Sequence, residues 1–318
     1  MGYARKIQTL EATPVFAPVQ TVAKAYNGAG QGYAAYADGD PRQLFKFSGL
    51  HAFADHEVWN RLDAELLRLK ESGATSLSLL DAGCGPGTWL RRIVIRAREL
   101  GFGSITARGF DIAQVQIQTA RRNAQDLAHL PGVKLRFDCS DLLSPLAEAT
   151  GSADITICLY SVLSHVAVRD LPKVLAELAR VTWGTFFATV RAVGSEPTVF
   201  IDSIDKARDF HFDHEHNRCT VEFRNGSHIE FPARLFGGEE LRKLMAEHFI
   251  VDELCGLDIF HSRFAPVHRW NPDSLMPGEH LAECLSALEA VHAHDPEFID
   301  RANHLLLVGR PRRPERGD

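Results

Sequence analysis

The sequence of 318 residues has no stretch that fits a membrane span or an export signal. All its apolar runs fall short of the roughly 18 uninterrupted residues that a membrane-spanning helix needs. The first residues, MGYARKIQTLEA, contain no apolar core of a secretory signal, and Gly2 is not followed by the Ser or Thr of a myristoylation signal. We therefore expect a cytoplasmic protein that does not bind membranes.

Cysteine pairs and an excess of positive charge are also missing. The six cysteines contain no Cys-x-x-Cys spacing, so in a cytoplasmic chain we expect reduced packing residues. Lys and Arg total 35 against 41 Asp and Glu, which gives a net charge of −6 and no general attraction to nucleic acids. We expect neither nucleic acid nor membrane as a partner. With 45% hydrophobic and 24% charged residues, the composition is that of a folded globular protein.

The chain does contain an alternation of short β-rich runs with helical patterns, which is typical of a parallel α/β sheet. The pattern predicts strands over residues 76–82, 105–111, 133–139, 154–160, 184–190, 249–257 and 304–309. It predicts helices over residues 88–100, 112–127, 171–181 and 239–248.

Three further segments do not fit this alternation. The first contains a predicted helix at 21–36, the second a predicted β-hairpin around Asn225-Gly226, and the third a predicted helix at 279–292. We interpret the chain as one elaborated domain and expect the three segments to form a cap. Its parts are an N-terminal cap segment at 1–70, a core at 71–190, a hairpin insertion at 191–235, and the end of the core at 236–318, which contains a second insertion at 258–303.

The most informative stretch is a glycine-rich loop between the first strand and the next helix. Glycines let the backbone turn sharply and approach a ligand, and the helix N-terminus supplies N–H donors. The third glycine comes one residue earlier than in the G-x-G-x-x-G pattern of nicotinamide enzymes. The loop reads Asp81-Ala82-Gly83-Cys84-Gly85-Pro86-Gly87.

This loop closely resembles the first motif of the class I S-adenosylmethionine (SAM)-dependent methyltransferases. The resemblance continues at Asp111-Ile112, where the family's acidic residue binds both ribose hydroxyls, and at Asp141-Leu142, which fits the adenine site. Asp138 is the competing choice for the adenine contact. Tyr160 ends the run that resembles the fourth-strand motif, beside the methionine and the reacting methyl group.

The resemblance implies an α/β fold with a seven-stranded, mostly parallel, doubly wound sheet whose last strand is antiparallel, and SAM as the cofactor. The cofactor-binding residues would be Asp81, Gly83, Cys84, Gly85, Gly87, Asp111, Ile112, Asp141, Leu142 and Tyr160.

The acceptor is expected to be a small molecule. No Asn/Asp-Pro-Pro-Tyr/Phe motif follows the fourth strand, as it would in enzymes that methylate base or glutamine amines. We predict direct in-line transfer of the methyl group to an oxygen, nitrogen or carbon nucleophile of a metabolite. A tRNA or protein methyltransferase with the same cofactor site and a non-catalytic SAM-binding module remain alternatives, and a homodimer is left open.

Several side chains are candidates for the rest of the site. His165 follows the fourth strand and is the candidate base, and Tyr33 is chosen among Tyr26, Tyr33 and Tyr36 as a cofactor contact. An acceptor pocket opposite His165 is predicted from His51, Phe260, His261, Phe264 and Trp270, with His56 as a further candidate.

A histidine-rich run raises the question of a bound metal. His214 and His216 would share one face of an extended segment, near Cys219 or His228. No accepted ligand spacing is matched, and a solvated hairpin edge explains the same pattern, so no metal is expected.

The ribose assignment can be tested by calorimetry. Asp111→Ala should weaken SAM binding by about 1–3 kcal/mol, because charge-assisted hydrogen bonds to the ribose are lost. Gly85→Val should weaken it further, since a branched side chain would intrude where backbone meets ligand, whereas Asp141→Ala should cost less. Equal SAM affinity in Asp111→Ala and the parent protein would contradict the assignment.

Overall fold

The computed structural model describes residues 20–24, 26–27, 43–47, 51–195, 207–213, 215–264 and 279–313. Residues 20–24 and 26–27 are helical, as expected for the start of the helix predicted at 21–36, and the rest of that prediction lies outside the described residues. Within the described ranges, every helix is too short or too polar to cross a membrane.

A seven-stranded sheet forms the centre of the molecule, in the order β3-β2-β1-β4-β5-β10-β9. The first five strands pair in parallel, whereas β10 lies antiparallel between β5 and β9. The predicted fold class, including the antiparallel last strand, is confirmed. The strands are β1 (Ser76–Ala82), β2 (Ser104–Asp111), β3 (Val133–Cys139), β4 (Ala153–Cys158), β5 (Thr182–Arg191), β9 (Phe249–Leu257) and β10 (His304–Pro311).

Helices cover both faces of this sheet because successive side chains of a strand point to opposite faces. Leu77 and Leu79 of β1 belong to one buried cluster, and Leu80 and Ala82 of the same strand belong to the other. The first cluster is completed by helices α1 (Ala52–Glu71), α2 (Thr88–Glu99), α3 (Gln114–Asn123) and the short α4 (Gln125–Ala128). The second contains α5 (Leu171–Val181) and α6 (Gly238–Ala246), and the later helix α7 is Glu279–His292.

The region between β5 and α6 forms a second, smaller antiparallel sheet. Its strands are β6 (Ala207–Asp213), β7 (Arg218–Phe223) and β8 (His228–Pro232). The β7–β8 hairpin predicted from Asn225-Gly226 is confirmed: Gly226 has φ 81°, and the Asn225 side chain accepts the Ser227 N–H at 3.0 Å. The third strand, β6, was not predicted, because its histidine- and aspartate-containing run gives only a weak strand signal.

Packing across the second cluster can be tested at Phe186. Its ring is fully buried and stacks on Phe249 with ring centroids 4.6 Å apart. Phe186→Ala should lower the free energy of unfolding by about 3–5 kcal/mol, since transfer energy is lost and a cavity remains. The measurement is urea denaturation. Val291→Ala is the control, because Val291 is 72% exposed and its loss should change stability by less than about 0.5 kcal/mol.

Candidate functional site

A cavity of about 470 Å³ opens at the carboxyl ends of β1, β2 and β4. This is the edge at which open α/β sheets bind ligands. Of the residues proposed from the sequence, Asp81, Gly83, Cys84, Gly85, Asp111, Ile112, Asp141, Leu142, Tyr160, His165 and His51 line it.

The glycine loop is fastened to the neighbouring strand. The N–H groups of Gly83 and Cys84 donate to the Phe110 carbonyl at 2.8 and 2.9 Å. Gly83 has φ 79°, and a Cβ placed on it would lie 2.3 Å from the Val162 side chain, so only glycine fits there. Gly87, also at positive φ, does not line the cavity. It turns the chain into α2, and a Cβ there would lie 3.0 Å from the Phe137 ring.

Asp111 is held at the cavity edge by the backbone. Its two carboxylate oxygens accept the N–H groups of Gly85 at 2.9 Å and Ala113 at 2.8 Å. Burial raises the pKa of Asp111, and these hydrogen bonds oppose the rise. Because each oxygen can accept more than one hydrogen bond, the carboxylate can still accept from ligand hydroxyls.

Three buried polar atoms line the same cavity with no hydrogen-bond partner in the part of the chain that the structure describes. They are Asp81 Oδ2, Thr88 Oγ1 and Ser161 Oγ. Burial, and secondarily the charge of Asp111, raises the pKa of Asp81 well above its usual value. Buried polar atoms without a partner are costly, so their grouping indicates a site shaped for a polar ligand.

The two candidate acids for the adenine contact, Asp138 within β3 and Asp141 just after it, differ in their surroundings. Asp141 lines the cavity, and its carboxylate accepts the Leu143 N–H at 2.9 Å. Asp138 does not line the cavity and forms ion pairs with Arg108 at 2.9 Å and Arg136 at 2.8 Å. Of the two, only Asp141 is positioned to contact a ligand.

The chain leaves β4 in an unusual conformation. The strand ends at Cys158 rather than at the predicted residue 160, and Tyr160 and Ser161 have φ values of 53° and 70°. Such left-handed residues cost about 1–3 kcal/mol each and cluster at functional sites. The Tyr160 N–H donates to Thr189 Oγ1 at 2.6 Å, which helps to hold this turn.

Tyr160 and Asp55 form a buried pair in the cavity wall. The Tyr160 hydroxyl donates to the Asp55 carboxylate. Burial raises the pKa of both groups, and for Tyr160 the Asp55 charge raises it further. Sequence reasoning missed Asp55, because a single acid within α1, far from any motif, gives no signal of its own.

His165 is fully used by hydrogen bonds within the protein. Its Nδ1–H donates to the Pro232 carbonyl at 2.7 Å, so Nε2 accepts the Tyr26 hydroxyl at 2.8 Å. Burial lowers the pKa of His165 to about 4, so the ring is neutral near pH 7. Since Nε2 is occupied, this arrangement does not suit the predicted role of general base.

Tyr26 is the tyrosine of the N-terminal helix that reaches the cavity. It lines the cavity beside His165, and burial raises its pKa. The sequence favoured Tyr33, which lies outside the described residues, as does Trp270.

The predicted acceptor wall requires a correction. Phe260 and His261 do not line the cavity. Their backbone N–H groups donate to Glu289, which fixes this segment against α7, and His261 stacks on Phe53 at 4.5 Å between ring centroids. The Phe264 side chain lies outside the described part of the structure.

His51 lines the cavity, whereas His56 does not. The Nδ1 of His51 lies 3.5 Å from an Asp258 oxygen. His56 is 56% exposed and contacts the Phe47 ring instead. Of the two candidate histidines before and within α1, His51 is therefore the one placed for ligand contact.

The histidine-rich run forms no metal-ligand group among the described residues. His216 bonds to Asp213 at 2.7 Å, Cys219 is buried within β7, and His214 lies outside the described residues.

The buried state of His165 predicts a pH-dependent stability. Its pKa of about 4 in the folded protein lies below the ordinary value of 6.5, so the unfolded chain binds the extra proton between these values. Stability therefore falls as the pH decreases through this window, by about 2 kcal/mol between pH 7 and pH 5.

Urea unfolding at the two pH values measures this effect. The pH-dependent loss should be smaller by about that amount in His165→Gln and unchanged in His216→Gln, which alters an exposed histidine. An equal loss in His165→Gln and the parent protein would show that His165 is not the group responsible.

The comparisons with known proteins agree with this geometry. Residues 79–183 match the family model of a methyltransferase domain. No curated protein sequence matches the chain. The solved structure of magnesium protoporphyrin IX methyltransferase from Synechocystis PCC 6803 with bound SAM is similar with a TM-score of 0.51 and 14% identity, covering 95% of this chain and 100% of that one.

Two further solved structures share the fold. The CcbJ methyltransferase from Streptomyces caelestis has a TM-score of 0.50 at 12% identity, with 91% of this chain and 99% of that chain covered. The cyclase SpnF has a TM-score of 0.50 at 15% identity, with 92% and 97% covered.

The matched segment contains the glycine loop, Asp111, Asp141 and the turn after β4, and these features line one cavity at the ligand-binding edge of the expected sheet. The chain therefore contains a methyltransferase domain at residues 79–183.

Proposed function

We propose that the protein transfers the methyl group of SAM to an oxygen, nitrogen or carbon nucleophile of a small-molecule acceptor by direct in-line displacement. The observation that carries this proposal is the cavity itself. One wall is the glycine loop of the matched domain, and another is built from Tyr26, His51 and Asp55, which lie outside it. A volume of about 470 Å³ is within the range of small-molecule sites.

The residues of the first wall fit SAM. Asp81 offers a buried oxygen without a partner among the described residues, which suits the cofactor's ammonium group, and Thr88 offers a hydroxyl at the start of α2, which suits its carboxylate. Asp111 would hold the ribose hydroxyls. Asp141 and Leu142 would hold the adenine.

When bound, SAM supplies a methyl group already activated on a sulfonium. The chain's own contribution is then to orient the acceptor and exclude water, and orientation alone can supply much of the acceleration. His165 positions Tyr26 through their hydrogen bond rather than taking a proton itself. Where the acceptor must lose a proton, Asp55, which accepts the Tyr160 hydroxyl, is a titratable group at the second wall.

We also propose that residues 1–70, 191–235 and the insertion at 258–303 together cover the cofactor edge. The core is then 71–190 and the part of 236–318 outside that insertion. Tyr26 from the first segment and Pro232 from the second both bond to His165. The Arg234 N–H donates to the Ser164 carbonyl at 2.8 Å, which ties the second segment to the same turn. Asp258 from the third contacts His51. A cover of this kind excludes water and shapes an acceptor pocket.

The net charge of −6 supports a small-molecule acceptor over nucleic acid. A cytoplasmic location completes the proposal. The similarity to a cyclase shows that this fold also serves other reactions, so methyl transfer itself needs a direct test.

Methyl-labelled SAM offered with a cell extract tests the function. The parent protein should place label in a low-mass product, whereas Asp111→Ala should reduce labelling at subsaturating SAM by roughly 5- to 150-fold, the equivalent of 1–3 kcal/mol in SAM affinity. Replacing the exposed hairpin tip at 224–227 is the control and should leave labelling unchanged.

Three outcomes separate the alternatives. Label in low-mass products supports the proposal. Label in RNA or protein would show the macromolecular methyltransferase instead. SAM binding by calorimetry without any labelled product would indicate a SAM-binding module or a different reaction.

A further inference from the structure

Two histidines and one aspartate meet beside the cavity, apart from the residues assigned to SAM. They are His51, Asp258 and His304, and one potential ligand atom of each lies within 4.8 Å of those of the other two. The Asp258 side chain is 1% exposed, His304 is 1% exposed, and the His51 side chain is 12% exposed. The cluster is therefore interior, unlike most groups of charged residues on a protein surface.

Three separate parts of the chain bring these side chains together. His51 lies directly before α1, Asp258 directly after β9, and His304 is the first residue of β10. In the β9–β10 ladder, His304 pairs with Leu257. Asp258 is the next residue after Leu257 and therefore lies close to His304. Asp258 has φ 57°, an uncommon conformation for a residue other than glycine, which turns the chain at this point.

The buried His304 ring makes no hydrogen bond within the described part of the chain. Neither Nδ1 nor Nε2 has a hydrogen-bond partner among the described residues. A buried imidazole without partners is costly, because both nitrogens have lost water. A metal ion bound to one of these nitrogens would satisfy it in place of the lost water.

Charged groups from several elements face this cluster. Asp55 of α1 lies close enough for the charge of Asp258 to raise its pKa, and Arg92 of α2 acts in the opposite direction. Arg191 of β5 also faces His304. The pocket thus holds two buried carboxyl groups beside two imidazole rings, an arrangement that a divalent cation stabilises.

We propose that His51, Asp258 and His304 bind one divalent first-row transition-metal ion, of the Zn²⁺, Fe²⁺ or Mn²⁺ class. Imidazole nitrogens and a carboxylate oxygen are the ligands that these ions prefer. The His51 Nδ1 to Asp258 oxygen distance of 3.5 Å suits two ligands of one ion, each about 2.0–2.2 Å from it.

The site lies at the cavity wall, because His51 lines the cavity. Three protein ligands leave at least one coordination position for water or for an acceptor oxygen, as in catalytic metal sites. This last role rests on the proposed methyl transfer, whereas metal binding itself does not. Sequence reasoning missed this site, because its ligands at positions 51, 258 and 304 form no local spacing pattern.

A second group of potential ligands provides a matched control. Glu253, Cys255 and His294 also lie within 4.8 Å of one another. There the Arg61 guanidinium donates to the Glu253 carboxylate at 2.8 Å. Its positive charge already balances that carboxylate, so we expect no metal ion in this group.

The test is Zn²⁺ titration of the full chain after treatment with a chelator, by calorimetry and by metal content after dialysis. After dialysis the parent protein should retain one Zn²⁺ ion more than Asp258→Asn and His304→Ala. Both variants should bind that ion more than about 100-fold more weakly, because the loss of even an outer-shell partner lowers metal affinity 10- to 100-fold. His294→Ala and His216→Ala, which alter the control group and the histidine-rich run, should bind like the parent.

Asp258→Asn keeps the interpretation clear if His304→Ala does not fold. Asparagine has the same shape and tolerates positive φ, and SAM calorimetry on the variant reports both its fold and the separate cofactor site. Zn²⁺ should raise the Tm of the parent and not that of Asp258→Asn. If folded Asp258→Asn binds Zn²⁺ as tightly as the parent, or if the ion is lost in His216→Ala instead, the proposed site is wrong.

Discussion

The contact on which the site depends is the pair of hydrogen bonds from the glycine loop to the end of β2. Gly83 and Cys84 donate to the carbonyl of Phe110, and Asp111, the next residue, accepts from Gly85. These bonds lock two parallel strands together at their carboxyl ends. As a result, Asp81 and Asp111 face one cavity although 30 positions separate them. Because parallel strands end at the same edge of the sheet, the glycine loop after β1 and Asp111 at the end of β2 lie next to each other.

Burial sets the electrostatics of the whole cavity. It raises the pKa of Asp81, Asp111 and Asp55 and lowers that of His165 to about 4. These buried groups differ in whether the protein supplies hydrogen-bond partners for them. Backbone N–H groups satisfy Asp111 and the Tyr160 hydroxyl satisfies Asp55, whereas Asp81 Oδ2 has no partner among the described residues. A buried oxygen without a hydrogen-bond partner marks a position where a ligand can bind. The parts of the wall whose polar atoms already have protein partners do not need a ligand.

The additions to the core give the site its second wall and also change the roles that the sequence assigned. His165 lies at the cavity as predicted, but Pro232 from the small sheet and Tyr26 from the N-terminal helix use both of its ring nitrogens. Phe260 and His261 are drawn away from the cavity by the buried carboxylate of Glu289. The candidates of lower priority, Tyr26 and His51, are the ones that the additions bring to the cavity. These additions thus determine which aromatic and titratable groups line the second wall of the cavity.

The sequence by itself determined the sheet, the position of the cofactor edge and the residues of the glycine loop. Strand periodicity, glycines in a turn and acids at strand ends are local properties of the sequence. They can be read without knowing how distant segments pack. Only the tertiary structure decided between Asp138 and Asp141, because Asp138 is held by Arg108 of the neighbouring strand β2 as well as by Arg136 of its own strand. The same holds for Asp55, whose partner Tyr160 is 105 positions away, and for His51, Asp258 and His304. Contacts between segments so distant in sequence are fixed by packing and strand register, and no local pattern encodes them.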